Sequence, residues 1–216
     1  MTSPSLTLTI GDKNLSSWSL RPWLVMKASK LKFKEVMIRL DRTNSKALIR
    51  QQSPTGTVPV LKHGKTVVWD SLAICEYLAE LAPDKSLWPL DTSARAEARS
   101  YVAEMHSGFA SMRNQLSMDI QGRIRIKHLT PQTIADIKRV VELWELALKK
   151  YKGQFLFGSF GIVDAYFAPV VFRFRSYGIE IKSPAVRKYM SRCLAHPDLI
   201  EWEQAAMKEK ATYVTF

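Results

Sequence analysis

Cysteine is scarce in this chain. Only Cys75 and Cys193 are present, and none precedes Cys75. Disulfide exchange requires a protein thiolate, so the N-terminal third of the chain has no residue that could perform it. Each cysteine lies within an apolar pattern of helical spacing. That setting favours two buried free thiols over a disulfide or a metal site.

Long apolar runs are also missing. No stretch of about eighteen apolar residues occurs, and the N-terminal sequence MTSPSLTLTIGDK lacks the charged and then apolar pattern of a signal peptide. The sequence therefore predicts a cytoplasmic protein without a membrane partner. The four histidines and two cysteines show no metal-ligand spacing, so no metal is expected.

Acidic residues are outnumbered. The net charge is +12 and the isoelectric point is about 9.8, values that suit an anionic partner. The basic excess divides evenly between residues 1–90 and 91–216, and no basic tail occurs. This distribution argues against a nucleic-acid partner. A nucleic-acid-binding accessory protein stays open as an interpretation that depends on the charge alone.

The stretch 53–78 is the most informative part of the chain. It predicts two short strands joined at His63-Gly64 and followed by a helix that opens at Asp70-Ser71. Val58-Pro59 stands at the start of the first strand, where proline fits a sheet edge and a cis peptide bond is possible. Asp70 and Ser71 stand beside the free N–H groups of a helix start, which suit the amine and carboxylate of a peptide-like ligand.

These residues, in this order and spacing, resemble the glutathione-binding half of the glutathione S-transferases. The resemblance implies that the main chain of Val58 pairs with the cysteinyl unit of glutathione, while Asp70 and Ser71 hold the γ-glutamyl end. It makes glutathione the co-substrate and predicts a homodimer. The residues that this resemblance assigns to glutathione are Trp18, Thr57, Val58, Pro59, Asp70 and Ser71.

Two domains are predicted. Residues 1–83 show the order β-α-β-α-β-β-α of a thioredoxin-like domain with a mixed four-stranded sheet, and residues 92–216 form an all-helical bundle domain. In the second domain, apolar spacing from Val102 to Leu116 predicts one amphipathic helix. A later helix begins near Gly161, where Asp164 can reach back to the backbone N–H of the cap residue.

A run of serines occupies the place where a thioredoxin-like domain carries its reactive group. The sequence SSWSLRPWL resembles the serine-type first helix of the zeta class and its relatives, which assigns thiol activation to Ser16, with Ser17 as the alternative. Trp18 stands where the zeta pattern has cysteine, so maleylacetoacetate isomerase activity is in doubt. Thr57 stands where many relatives carry Lys or Gln. Arg21 is interpreted as a structural ion-pair partner.

The predicted function is therefore a glutathione transferase in which a serine hydroxyl activates the thiol for attack on a small hydrophobic electrophile, by conjugation, reduction or isomerisation. A non-catalytic module of the same fold that binds ligands or proteins is the alternative. The first helix of the second domain is expected to reach the pocket for the electrophile. Its expected residues are Met105, Phe109, Met112 and Arg113.

Overall fold

The computed structural model describes residues 5–40 and 42–210. Its N-terminal part contains four strands and three helices: β1 (Leu6–Ile10), α1 (Ser17–Ser29), β2 (Phe33–Met37), α2 (Ser45–Gln52), β3 (Val60–His63), β4 (Thr66–Val68) and α3 (Ser71–Leu81). After a short 3-10 turn at Pro83–Lys85, the described chain is helical: α4 (Thr92–Ser107), α5 (Ala110–Gln115), α6 (Pro131–Tyr151), α7 (Ile162–Ser176), α8 (Pro184–Leu194) and α9 (Pro197–Met207).

The sheet is mixed, with strand order β2-β1-β3-β4. β1 runs parallel to β2 and antiparallel to β3, so that Leu8 pairs with Glu35 on one side and Leu61 on the other. A β-α-β crossover joins the parallel strands β1 and β2, and a tight turn at Gly64-Lys65 joins β3 to its antiparallel neighbour β4. The predicted fold class, a thioredoxin-like sheet domain followed by a helical bundle, is confirmed.

Helix α1 connects the two parts of the molecule. It packs against α3 on the sheet side and against α7 of the helical part. Leu20, Trp23 and Leu24 are buried, and so is Arg21, because a helix covered on two sides has little surface left for solvent. The start of α1 consequently lies between the sheet domain and the helical domain.

The helix predicted from Val102 to Leu116 is interrupted. Gly108 ends α4 through its N–H bond to the carbonyl of Glu104, and Phe109 adopts a left-handed backbone with φ of 58° before α5 begins. A Cβ at Gly108 would lie 2.7 Å from the carbonyl oxygen of Glu104, so the break requires glycine. The apolar spacing predicted one helix because the same face continues into the core on both sides of the break.

Asp164 secures the start of α7. Its carboxylate accepts the Gly161 N–H at 3.0 Å, as predicted, and also the N–H of Leu156 at 3.1 Å. The carboxylate is buried, and burial raises its pKa to about 7. α7 continues through Pro169 without ending.

Three further sequence expectations concern thiols, metals and membranes. Cys75 and Cys193 are free and buried, as predicted. Within residues 5–40 and 42–210, no cluster of three or more His, Cys, Asp or Glu side chains has the arrangement of a metal site. Over the same ranges, no helix combines the length and the apolar character needed to cross a membrane.

Candidate active site

A pocket of about 330 Å³ lies between the starts of α1 and α3. Six of its lining residues are the predicted glutathione-binding residues, which the fold brings together from three separate segments. The seventh, His106, comes from α4 and was not predicted. The complete lining is Trp18, Thr57, Val58, Pro59, Asp70, Ser71 and His106.

A larger groove, about 830 Å³, lies between α6 and the segment 177–183. Apolar side chains, lysines and glutamates line it together, and none of the predicted site residues is among them. Size alone does not identify a reaction centre. We therefore assign the candidate active site to the smaller pocket, where polar groups converge at two helix starts.

The Val58–Pro59 peptide bond is cis and leads directly into β3. Pro59 is buried, whereas Val58 is partly and Thr57 largely exposed at the pocket. The Trp69–Asp70 bond, which does not involve proline, is also cis. Residues 57–59 line the pocket together with Asp70 and Ser71 at the start of α3.

Asp70 is the cap residue of α3. Its Oδ1 accepts the N–H groups of Leu72 at 3.0 Å and Ala73 at 3.4 Å. Its Oδ2 lies 2.9 Å from Nε2 of His106, and the Asp70 side chain is 54% exposed. The start of α3 therefore presents a carboxylate that is fixed by the helix backbone on one side and by the helical domain on the other.

A second hydrogen-bonded path leads from Ser71 to the same histidine. The Ser71 and Tyr166 hydroxyls are 3.0 Å apart, and Oη of Tyr166 lies 3.4 Å from Nδ1 of His106. Ser71 and Tyr166 are both buried, and burial raises the pKa of Tyr166. Asp70, His106, Tyr166 and Ser71 thus form one continuous polar chain around the start of α3.

The start of α1 is arranged differently. Ser16 occupies the cap position but makes no capping bond through its side chain. Its hydroxyl donates to Oγ of Ser19 at 2.7 Å, which also accepts the N–H of Gly11. The hydroxyl of Ser17 accepts an N–H from Arg173 at 3.3 Å. Both predicted catalytic serines are 7% exposed and stand behind Trp18, which is the α1 residue that lines the pocket.

Arg21 has no carboxylate partner among the described residues, so its interpretation as an ion-pair residue is wrong. Its Nε donates to the carbonyl of Tyr166 at 3.2 Å, while its two terminal nitrogens have no hydrogen-bond partner in the described chain. The guanidinium carbon lies 4.1 Å from the centroid of the Trp18 ring and 5.0 Å from that of Tyr166. Complete burial lowers the pKa of Arg21 to about 10.

Two more arginines lie near Trp18 and Ser17 at the start of α1. Arg173 of α7 donates through Nε to the carbonyl of Leu116 at 2.7 Å, and its Nη1 has no partner within the described residues. Burial, together with the charges of Arg21 and Arg113, lowers the pKa of Arg173 to about 9. The guanidinium carbon of Arg113 lies 5.2 Å from the Trp18 ring centroid. We call Arg21, Arg113 and Arg173 the arginine cluster.

The residues predicted to contact the electrophile divide into two groups. Met105 and Met112 have no exposed surface and Phe109 is 8% exposed, because α4 packs on α7 and α5 packs on α6. These three side chains form core, and the structure gives no support to their predicted role in the pocket. Arg113 is partly exposed beside Trp18 and stays a candidate.

Sequence reasoning missed His106, Tyr166 and Arg173. The sequence did contain one indication of His106, which directly follows the buried Met105. A titratable side chain at the edge of a buried helix face needs a hydrogen-bond partner. Tyr166 and Arg173 lie in α7 among buried neighbours and gave no such signal. Their contacts with Ser71 and Ser17 depend on tertiary structure alone.

Comparison with known proteins agrees with this arrangement. Residues 15–81 match the family model of the glutathione S-transferase N-terminal domain, and residues 96–192 match that of the C-terminal domain. A probable maleylacetoacetate isomerase of Caenorhabditis elegans is 24% identical over 191 residues, which cover 84% of this chain and 88% of the relative.

Two solved structures have the same fold. A glutathione transferase homolog from Burkholderia with bound glutathione has a TM-score of 0.72 and 24% identity, covering 95% of this chain and 100% of that one. A bacterial maleyl pyruvate isomerase of the zeta class has a TM-score of 0.74 and 20% identity, with the same coverage. Together with the two matched domains and the pocket between them, these similarities place the chain in the glutathione S-transferase family of enzymes.

Proposed function

We propose that this enzyme binds glutathione in the 330 Å³ pocket and directs its sulfur at a small electrophile. The observation that carries the proposal is the opposite polarity of the two helix starts that face this pocket. The start of α3 presents the carboxylate of Asp70, and the start of α1 lies beside the arginine cluster. Glutathione has an ammonium group at its γ-glutamyl end and a thiol in its middle, which suits this arrangement.

In this proposal Asp70 accepts the γ-glutamyl ammonium, while the Ser71 hydroxyl and the α3 backbone N–H groups bind the adjacent carboxylate. The main chain of Val58 pairs with the cysteinyl unit. Trp18, Thr57 and Pro59 form the surrounding walls. Because Thr57 is neutral, the glycine carboxylate relies on hydrogen bonds or on solvent rather than on a cationic side chain.

The chemical step begins with the bound thiol. Its proton leaves to solvent, and the resulting thiolate attacks an electrophilic carbon to form a C–S bond, while the bonding electron pair moves to a leaving group or an adjacent carbonyl. A hydroxyl hydrogen bond from Ser17, or from Ser16 once it exchanges its bond to Ser19 for the sulfur, favours the ionised sulfur. The positive end of α1 and the arginine cluster act in the same direction. Ser17 already accepts from Arg173, so its own proton is available for the thiolate.

Thiol titration of the bound glutathione tests this mechanism. The ultraviolet absorbance of the thiolate, followed against pH, should give a pKa below that of free glutathione. Either Ser16→Ala or Ser17→Ala should raise that value by about one unit, corresponding to the loss of about 1.4 kcal/mol. Ser100→Ala, an exposed serine on α4, is the matched control and should leave it unchanged. A wild-type thiol pKa equal to that of free glutathione, or no response to either active-site substitution, contradicts the serine mechanism.

A second candidate function is glutathione-dependent isomerisation of an electrophile that carries a carboxylate. It is favoured by Arg21 and Arg173, whose buried N–H groups without partners would bind an anionic group. The isomerases among the similar proteins are consistent with it. Steady-state rates with a carboxylate-bearing enone and with its methyl ester separate the candidates. Preference for the ester supports a hydrophobic electrophile, and preference for the free acid supports the anionic one.

The homodimer and the cytoplasmic location stay predictions from the sequence. Light scattering of the purified chain would show a mass of twice 24.6 kDa for the proposed dimer. A mass equal to that of the single chain would contradict it.

A further inference from the structure

His106 lines the pocket, but it has no role in the sequence prediction or in the proposed chemistry. It comes from the helical domain, is 27% exposed, and contacts the edge of the Trp18 ring with centroids 5.4 Å apart. Its Nε2 lies 2.9 Å from Oδ2 of Asp70, and its Nδ1 lies 3.4 Å from Oη of Tyr166. The imidazole therefore connects the two halves of the polar chain around α3.

The direction of the hydrogen bonds in this chain depends on the charge of the imidazole. When His106 is neutral and Nε2 donates to Asp70, Nδ1 is an acceptor for the Tyr166 hydroxyl. Tyr166 then accepts the hydroxyl proton of Ser71, with the two oxygens 3.0 Å apart. In this state the proton of Ser71 is engaged, and only its lone pairs face the pocket.

The doubly protonated imidazole reverses the chain. Nδ1 now donates to Tyr166, Tyr166 donates to Ser71, and the hydroxyl proton of Ser71 is released toward the pocket. The Asp70 contact through Nε2 is the same in both states. A carboxylate beside Ser71 needs a donor, so it favours the second state over the first.

We infer that His106 completes the glutathione site as a positioning residue, and that it takes up a proton when the γ-glutamyl carboxylate binds to Ser71. The inference rests on the proposed function, which places that carboxylate at the start of α3. The proton comes from the solvent, and no covalent bond changes. Binding affinity should therefore fall as pH rises through the range in which an imidazole titrates.

Charged and titratable groups from four other helices face His106. Asp70 of α3 favours the imidazolium. Arg113 of α5, which donates to the His106 carbonyl at 3.3 Å, and the buried Arg21 of α1 disfavour it. Tyr166 of α7 is a neutral hydrogen-bond partner. In the proposed complex the ligand's ammonium at Asp70 opposes the protonated imidazole, whereas its carboxylate next to Ser71 favours it, because that carboxylate needs the Ser71 hydroxyl as a donor.

Isothermal titration calorimetry with S-methylglutathione tests the inference. This thioether has no thiol to ionise, so any proton exchange belongs to the protein or to the ligand's other groups. Binding enthalpies measured in phosphate and in Tris at about pH 7.5, above the usual imidazole range, give the number of protons exchanged. We expect the wild-type enzyme to take up a measurable fraction of one proton, and His106→Gln to take up none.

Tyr166→Phe removes one oxygen with little change in shape, and it frees the Ser71 hydroxyl from His106. This variant should still bind S-methylglutathione but with reduced proton uptake, whereas a purely structural histidine would alter affinity without altering the proton count. Wild-type binding without proton uptake, or the same uptake in His106→Gln, overturns the inference and leaves the proposed function intact. Absence of S-methylglutathione and glutathione binding altogether overturns both.

Discussion

The two helix starts that face the pocket are stabilised in opposite ways. α3 begins with an exposed carboxylate that caps two backbone N–H groups, whereas α1 begins with two nearly buried serines that make no side-chain capping bond. An imidazole lies beside the start of α3, whereas α1 contains Arg21 and has Arg113 and Arg173 beside its start. One helix start has its positive potential balanced by the protein itself, and the other has positive charge added to it.

This difference indicates where ligand binding is expected to change stability. A cap such as Asp70 contributes about 0.5–2 kcal/mol to its helix. Buried cations without a counterion oppose folding, because hydrogen bonds to neutral groups repay the desolvation of a charge only in part. Within the described residues, Arg21 and Arg173 bond to backbone carbonyls but have no carboxylate partner. An anion bound beside α1 would supply the missing counterion and stabilise the fold.

The largest expected effect concerns a third helix start, that of α7, where a carboxylate cap is buried. The pKa of Asp164 is about 7 in the folded chain and about 4 when unfolded. Between these values the folded chain holds a proton that the unfolded chain has lost. The free energy of unfolding should therefore fall as pH rises from about 4 to 7, by on the order of 3 kcal/mol.

Urea unfolding at a series of pH values measures this slope. Asp164→Asn cannot titrate and should remove most of it, although the amide loses one of the two backbone N–H bonds. An identical slope in the variant would mean that another group is responsible. It would also mean that the buried cap Asp164 and the exposed cap Asp70 do not differ in their effect on the pH dependence of stability.

The next effect in size concerns Arg21. Arg21→Met keeps the length of the side chain and removes the charge, so the pKa of the glutathione thiol should rise by about one unit, roughly 1.4 kcal/mol. The free energy of unfolding should stay constant or increase by about 1–2 kcal/mol, since a buried unpaired charge is replaced by an apolar group. Thiol titration and urea unfolding provide the two readouts.

Lys149→Met, which removes one exposed charge from α6, is the matched control and should change neither readout. A marked loss of stability in Arg21→Met with an unchanged thiol pKa would show that Arg21 serves the fold alone. The two helix starts would then not differ in function.

Gly161→Ser changes the α7 start again, with a smaller expected effect. The capping pattern suggests that serine would improve on glycine by a few tenths of a kcal/mol. The structure predicts the reverse, because a Cβ at this position would lie 2.8 Å from the carbonyl oxygen of Leu87. We expect a loss of about 1 kcal/mol in urea unfolding. A gain in stability would show that the backbone near Leu87 can move away from the new side chain at little energetic cost.

The smallest effect compares the two pocket helices directly. Asp70→Ala should cost about 1 kcal/mol because two N–H groups lose their acceptor. Ser16→Ala should cost less than about 0.5 kcal/mol, since Ser19 keeps its bond from Gly11. Thermal unfolding of the two variants side by side provides the measurement. Equal losses would remove the distinction between a capped and an uncapped helix start.

The sequence predicted those parts of the site that are local. Val58-Pro59 and Asp70-Ser71 each combine a backbone requirement with a side-chain function within two residues, and the fold unites them as expected. The contributions of His106, Tyr166 and Arg173 arise only when α4 and α7 pack against the sheet domain. Within a single segment, only the titratable His106 next to the buried Met105 indicates such a contact. The break at Phe109 escaped prediction for the same reason, since apolar spacing continues across it.

The Tyr166 residue contacts Ser71 through its hydroxyl and Arg21 through its carbonyl, so one turn of α7 supports both ends of the pocket. Recombining this N-terminal half with the helical half of a distant relative would preserve the cis-proline wall and the acidic cap. It would remove Tyr166, His106 and Arg173, and with them their contacts to Ser71, Asp70 and Ser17. Functional chimaeras should therefore be restricted to donors that supply all three together.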